Sequence, residues 1–156
     1  MIVEGMEQID QRIQQIHDRI ADPTKLLQYG QRLLSKSIAQ NFLQGGRPVS
    51  WPPRVSDVQG RLRRLDKQTH PLLRKTGRLA NSAVSTNNGG ESVSRIVIGA
   101  PQSSLSQGTT VEYAVYHNSA EPRNRLPRRA FLLFQPEDLS TFIAYARIWY
   151  WWGYTS

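Results

Sequence analysis

Three histidines, twelve carboxylates and no cysteine are the groups from which this chain would have to build a reactive centre. His17, His70 and His117 stand in separate segments, with no spacing that would bring them to one metal ion. The lack of cysteine removes thiol nucleophiles, disulfides and thiolate metal sites, and it fits a reducing compartment. No Gly-x-Ser-x-Gly string sets a serine on a sharp strand-to-helix turn. Gly45-Gly46-Arg47-Pro48 lacks the Gly-Lys-Ser/Thr ending of a phosphate loop, and Gly99 has no companion glycines for a dinucleotide fingerprint. The acids fall mostly at expected helix ends, where capping accounts for them, rather than as a catalytic pair. The expectation is a non-enzymatic chain without cofactor or metal.

What remains is ionic chemistry. The chain carries +8, with 16 arginines against 4 lysines. Arginine makes bidentate contacts to carboxylate and phosphate and stacks on rings. Such an excess fits a nucleic-acid-facing surface, a set of inter-subunit ion pairs, or a solvated basic surface. Two groups concentrate it. Arg61, Arg63 and Arg64, with Lys67, interleave with Leu62 and Leu65. Arg74, Lys75 and Arg78 sit among three leucines in Pro71–Ser82. Arg61, Arg63, Arg64, Arg74, Lys75 and Arg78 are the candidates for facing a DNA channel or a protein partner.

The elements that would carry them divide the chain in two. Met6, Ile9, Ile13, Ile16 and Ile20 recur at spacings of three and four, a narrow helical stripe suited to one neighbouring helix. At barely two heptads it is too short for an independent coiled coil. Asp22-Pro23 ends that helix and opens another, with Asp22 as N-cap and Pro23 at the first helical position. The second helix has a wider apolar face of Leu26, Leu27, Gly30, Leu33, Leu34, Ile38 and Phe42, and stops at Gly45-Gly46. A helical hairpin over 6–44 is expected. Residues 45–70 then read as an extended, basic, proline-rich loop. In it Trp51 is an anchor to the core or, alternatively, a stacking platform for a base.

Residues 71–156 read as an α+β core. Leu72–Ala83 fits a short helix, with Gly77 interrupting it or permitting close packing. Asn87-Asn88-Gly89-Gly90 is a turn signal, so a hairpin is expected between Ala83–Ser85 and Ser92–Ala100. Gln102–Thr109 reads as a polar loop. Val111–His117 fits either a strand or a helical turn, and Pro127–Phe134 fits a last strand. Pro136-Glu137-Asp138 opens a C-terminal helix with acids in its first turn. Five aromatics crowd the six positions 149–154, too many for one helix face. Some therefore meet another chain or stay exposed. The stripe (Ile9, Ile13, Ile16) and the tail (Trp149, Trp151, Trp152) are the candidate inter-subunit contacts. Removing Trp149–Ser156 is expected to spare folding. The start of the chain has no signal-peptide pattern, and no apolar run approaches a membrane span. One domain, 1–156, soluble and with no membrane partner, is expected.

Several phrases in order carry a resemblance. They are Gly46-x-Pro48-x-x-Trp51; Leu72-Leu73-Arg74-Lys75-Thr76-Gly77-Arg78-Leu79-x-x-Ser82; Val97-Ile98-Gly99; Glu112-Tyr113-Ala114-x-x-His117; Leu126-Pro127-x-Arg129-x-Phe131-Leu132; and Pro136-Glu137-Asp138. Over about Leu34 to Phe142 the chain resembles the virion morphogenesis (tail completion) family of Mu-like tailed phages. The family often continues the Tyr-Ala-x-x-His phrase with Gln, Phe and Gly, where this chain has Asn118-Ser119-Ala120. The N-terminal helix pair is more developed than the family's minimal pattern, and the tryptophan-rich tail is not part of it.

The resemblance implies a non-enzymatic virion protein that completes the tail at its head-proximal end and joins it to the filled head. It implies a tail terminator- or neck-like fold, a small twisted antiparallel sheet flanked by helices. It further implies a homo-oligomeric ring, commonly of six subunits, around the DNA channel, next to tail tube or sheath and neck or connector proteins. Genomic DNA would pass through without base readout. A neck protein one layer nearer the head is the alternative within this class, and a sequence-independent DNA-binding protein the alternative outside it. Trp51, Gly77, Leu79, Tyr113, His117, Pro127 and Phe131 are the motif positions expected to be structural.

Overall fold

The computed structural model of the protein describes residues 5–53, 70–99, 102–120 and 126–153. The architecture is α+β: N-terminal helices, one two-stranded antiparallel sheet and a C-terminal helix.

Helix α1 (Met6–Ala21) forms as its 3–4 periodicity requires, yet none of its residues is buried. Met6, Ile9, Ile13 and Ile20 remain 50–61% exposed. The half-buried residues of α1 are Arg12, Ile16 and Arg19, and its tertiary contacts go to the C-terminal helix. The stripe therefore does not seat α1 on a neighbour within the subunit, and arginines do much of that work. Helix α2 (Thr24–Gln44) follows, with Pro23 as N-cap, one position from the expectation. Asp22 still caps it through its side chain, which accepts from the Thr24 N–H at 3.1 Å. Gly45, at φ 70°, ends the helix in the left-handed region.

Helix α3 is only Arg78–Val84. The longer helix expected over Leu72–Ala83 does not form. Leu73 (φ 59°) and Gly77 (φ 75°) are both left-handed, and an α-helix does not run through such residues. Gly77 starts the helix instead of interrupting it. Strands β1 (Ser92–Val97) and β2 (Ser104–Thr109) pair antiparallel, from Ser92 opposite Thr109 to Val97 opposite Ser104. The partner of β1 is thus the stretch expected to be a polar loop, while Ala83 belongs to α3. Tertiary hydrogen bonds hold β2 in place. The Gln107 side-chain amide donates to Ser35 Oγ (2.7 Å) and to the carbonyls of Ala83 (3.2 Å) and Val84 (3.3 Å).

Val111–His117 resolves in favour of the helical turn, α4 (Ala114–Asn118). The strand expected over Pro127–Phe134 is absent, although Phe131 is fully buried. Side chains satisfy the backbone there. Asn118 Oδ1 accepts from the N–H groups of Phe131 (3.2 Å) and Leu132 (3.1 Å), and Asn41 donates to the Phe131 carbonyl (3.0 Å). With those groups paired, no neighbouring strand is needed. Helix α5 (Pro136–Trp152) closes the fold. Phe142 meets Gly30 of α2 so closely that a Cβ there would lie 2.9 Å from the ring, and Tyr145 stacks on Tyr29 at 3.7 Å. The core joins Ile38, Phe42, Trp51, Leu79, Ala83, Val111, Ala114 and Phe131. Among the described residues no helix is long and apolar enough to cross a membrane.

Candidate functional site

The motif positions gather around one point. Trp51 is buried, its ring is edge-on to Phe42 at 5.7 Å, and its indole N–H donates to the Ala130 carbonyl at 2.9 Å. It is an anchor, and its ring offers no open face for a base. Phe42 also packs on Phe131 at 5.2 Å. Gly46 makes the turn that delivers Trp51. Its φ is 107°, and a Cβ there would stand 2.6 Å from Trp51 Cδ1 and 2.7 Å from the Val49 carbonyl oxygen. Arg129 is buried and donates to the carbonyls of Pro52 (2.9 Å) and Pro53 (3.0 Å), while its own N–H bonds the His117 carbonyl at 2.8 Å. Leu79 is buried, and Pro127 half-buried.

A polar clamp beside this core escaped the sequence reading. Arg47 reaches Asn41 Oδ1 (2.9 Å), Gln40 Oε1 (2.8 Å), and the Ser37 carbonyl (3.0 Å) and hydroxyl (2.8 Å). It pairs with Asp138 at 3.4 Å, and Ser37 also donates to Asp138. Gln135 donates to the Arg47 carbonyl at 2.9 Å. A buried arginine is stable only when its donors are filled in this way. The available signal was the run Ser37, Asn41 and Arg47, polar groups beside the apolar face of α2. Asp138, read only as a dipole-complementing acid, is the ionic end of the clamp.

A cavity of about 520 Å³ opens between the Pro71–Arg78 segment and α4. Leu72, Leu73 and Tyr113 give it apolar walls; Lys75, Arg78, His70, His117 and Arg129 make the rest predominantly cationic or imidazole. Burial, and then the Arg129 charge, push the His117 pKa below its ordinary value, so this imidazole is neutral at neutral pH. Its Nδ1 is buried without a hydrogen-bond partner. Arg78 is committed to Glu91 in a two-pronged ion pair, which holds the Glu91 carboxyl low and the guanidinium high. Lys75 is exposed at the rim, and exposed Arg74 lines a separate hollow of about 350 Å³ with Ala80 and Asn81. The three cations of this segment therefore do not act on one point. Arg61, Arg63 and Arg64 lie outside the described residues. Thr76 completes the lining of the cavity.

The two terminal candidates meet. Arg12 stands over the Trp152 ring, 5.0 Å from its centre, and Arg19 donates to the carbonyls of Tyr150 (2.9 Å) and Trp151 (3.4 Å). Those are end carbonyls of α5 that lack helical donors, so Arg19 caps that helix. Trp151 and Trp152 are 62% and 72% exposed. Trp149 differs: it is 4% exposed and belongs to the interior, because it lies on the inward face of α5 with Phe142 and Tyr145. As an inter-subunit contact Trp149 is corrected by this burial.

Searches for similar proteins gave no match to a family model, to a curated protein or to a solved structure.

Proposed function

We propose that this chain is a structural virion protein of a tailed phage, one that completes the tail at its head-proximal end and joins it to the head. The observation that carries the reading is the ordered set of phrases in the sequence. Its support from the fold is their convergence. Gly46 and Trp51, Leu79, Ala114 and His117, and Arg129 and Phe131 come from four separate phrases and build one core and the cavity beside it. Residues dispersed in sequence and joined in one core are what a fold-specifying motif consists of.

In this reading the protein is non-enzymatic and acts as an oligomer around the DNA path. Exposed Arg74 and Lys75 face DNA phosphate or an acidic surface of the adjoining ring, tube or connector. The exposed positions of α1 and the end of α5 are apolar surface for protein contacts. The test is a phage deleted for this chain. Filled heads and separate tails should accumulate, and purified protein should restore joining. Infectious joined particles without it overturn the reading. Imaging the position of the protein in the particle separates a tail-end ring from a neck layer. Salt-dependent duplex binding together with absence from particles would favour a DNA-binding protein instead.

A further inference from the structure

The cavity between the Pro71–Arg78 segment and α4, about 520 Å³, has the size of a small-molecule site. Its wall runs from buried Arg129, through half-buried Leu72, Leu73 and His117, to exposed Lys75 and Tyr113. Leu73 enters that wall at φ 59°, a left-handed conformation unfavourable for a branched side chain. Such conformations concentrate where a chain grips a ligand. His117 adds a second irregularity, since its Nδ1 is buried with no hydrogen-bond partner and its pKa is pushed down. Apolar walls, a few convergent polar groups and a perturbed titratable side chain together have the composition of a ligand site.

Charge selects the ligand. No carboxylate among the described residues lines the cavity. Of its cations, Arg78 is paired with Glu91, and Arg129 holds the carbonyls of Pro52 and Pro53. Among the described residues the Lys75 ammonium has no hydrogen-bond or ion-pair partner, and the Tyr113 hydroxyl makes no hydrogen bond. One uncommitted ammonium matches one negative charge, as on a carboxylate, better than the nearly double charge of a phosphate monoester. Leu72, Leu73 and the Tyr113 ring match an apolar body that carries the charge.

We propose that this cavity binds a carboxylate borne on an apolar body, with Lys75 and the Tyr113 hydroxyl at its charged end and Leu72 and Leu73 along the body. A free organic acid and the C-terminal residue of another protein chain share that chemistry. The inference stands on the cavity alone and is independent of the head–tail reading.

Calorimetric titration of the full chain with hydrocinnamate tests it. The expected result is saturable binding, at least about tenfold tighter than that of the hydrocinnamic amide, which has the shape without the charge. Inorganic phosphate, which has charge without an apolar body, should bind more weakly than hydrocinnamate. Lys75→Met should weaken hydrocinnamate binding about tenfold with an unchanged thermal melt, because Lys75 is exposed. Should that variant misfold, Tyr113→Phe keeps the ring, loses the hydroxyl and should weaken binding about threefold or more. Absence of saturable binding overturns the proposal. So does equal affinity for acid and amide, tighter binding of phosphate, or an affinity that neither variant weakens. The peptide Gly-Ser-Gly-Phe with a free C-terminus then distinguishes the two sources. Binding tighter than that of hydrocinnamate assigns the site to a partner's chain end, and weaker binding assigns it to a free acid; both uphold the carboxylate.

Discussion

The indole N–H of Trp51 donates to the carbonyl of Ala130 at 2.9 Å, across 79 positions of sequence. That bond ties the loop after α2 to the irregular segment before α5 and seats Trp51 between Phe42 and the 130s. Trp51→Phe keeps most of the packing but strands the Ala130 carbonyl, a cost of about 1–3 kcal/mol. Trp51→Ala adds a cavity and should cost about 3–5 kcal/mol. Urea unfolding of the two variants separates the hydrogen bond from the packing. A Trp51→Phe variant as stable as the parent would show that the bond contributes nothing.

Gly46 should tolerate no side chain. Its positive φ strains any L-residue by about 1–3 kcal/mol. The Cβ would also collide with Trp51 and the Val49 carbonyl, and overpacking of that kind adds about 1–3 kcal/mol. Gly90→Ala is the control, since its φ is also positive but nothing lies within 4 Å. Thermal melts should show a much larger loss for Gly46→Ala than for Gly90→Ala.

His117 makes stability depend on pH. The folded state holds its imidazole neutral, while the unfolded chain protonates it at the ordinary value of 6.5. Protons therefore bind the unfolded state preferentially as pH falls. The contribution is complete above about pH 6.5 and is lost on acidification until the lowered folded pKa is reached. Asp22 and Glu91, whose carboxyls are also held low, act further down, below their ordinary 3.8 and 4.5. His117→Gln should flatten the stability profile between pH 7 and 5 relative to the parent, measured by denaturant midpoint. An unchanged slope in that window would contradict the burial of this ring.

The C-terminal tryptophans should divide sharply. Trp149→Ala removes an interior side chain and should cost about 3–5 kcal/mol. Trp152→Ala removes an exposed ring whose partner is Arg12, worth about 1 kcal/mol or less. A chain ended before Trp149 should lose its cooperative melt, and one ended after Gly153 should keep it.

Arg74→Glu with Lys75→Glu reverses two exposed cations and should shift stability by no more than about 0.5 kcal/mol. Under the proposed function the same change should depress head–tail joining in a reconstitution assay. Joining at the parental rate would remove this segment from the contact surface.

Helices were the legible part of this chain. Periodicity, Asp22-Pro23, Gly45 and Pro136 mark α1, α2 and α5 to within a residue or two, because helix hydrogen bonds and caps are local. Strand β2 was not legible: Ser104–Thr109 has little apolar content, and its place depends on Gln107 reaching Ser35 and the end of α3. The 126–135 segment misled in the other direction. Its apolar run resembles a strand, but Asn118 and Asn41 satisfy its backbone and leave it irregular.

Composition and local pattern specify the basic balance, the α+β class, the limits of α1 and α2, the start of α5 and the core positions Trp51, Leu79 and Phe131. Tertiary structure alone decided which cations remain exposed and which apolar residues stay uncovered. Arg47 and Arg129 are drawn inside, Arg78 is taken by Glu91, and Arg12 and Arg19 are spent on the end of α5. Trp149 is buried while Trp151 and Trp152, two and three residues on, face out. The reason is physical. Periodicity and capping act over one or two turns of chain, whereas the partner of a charge or a ring is whatever the fold brings beside it from a distance in sequence.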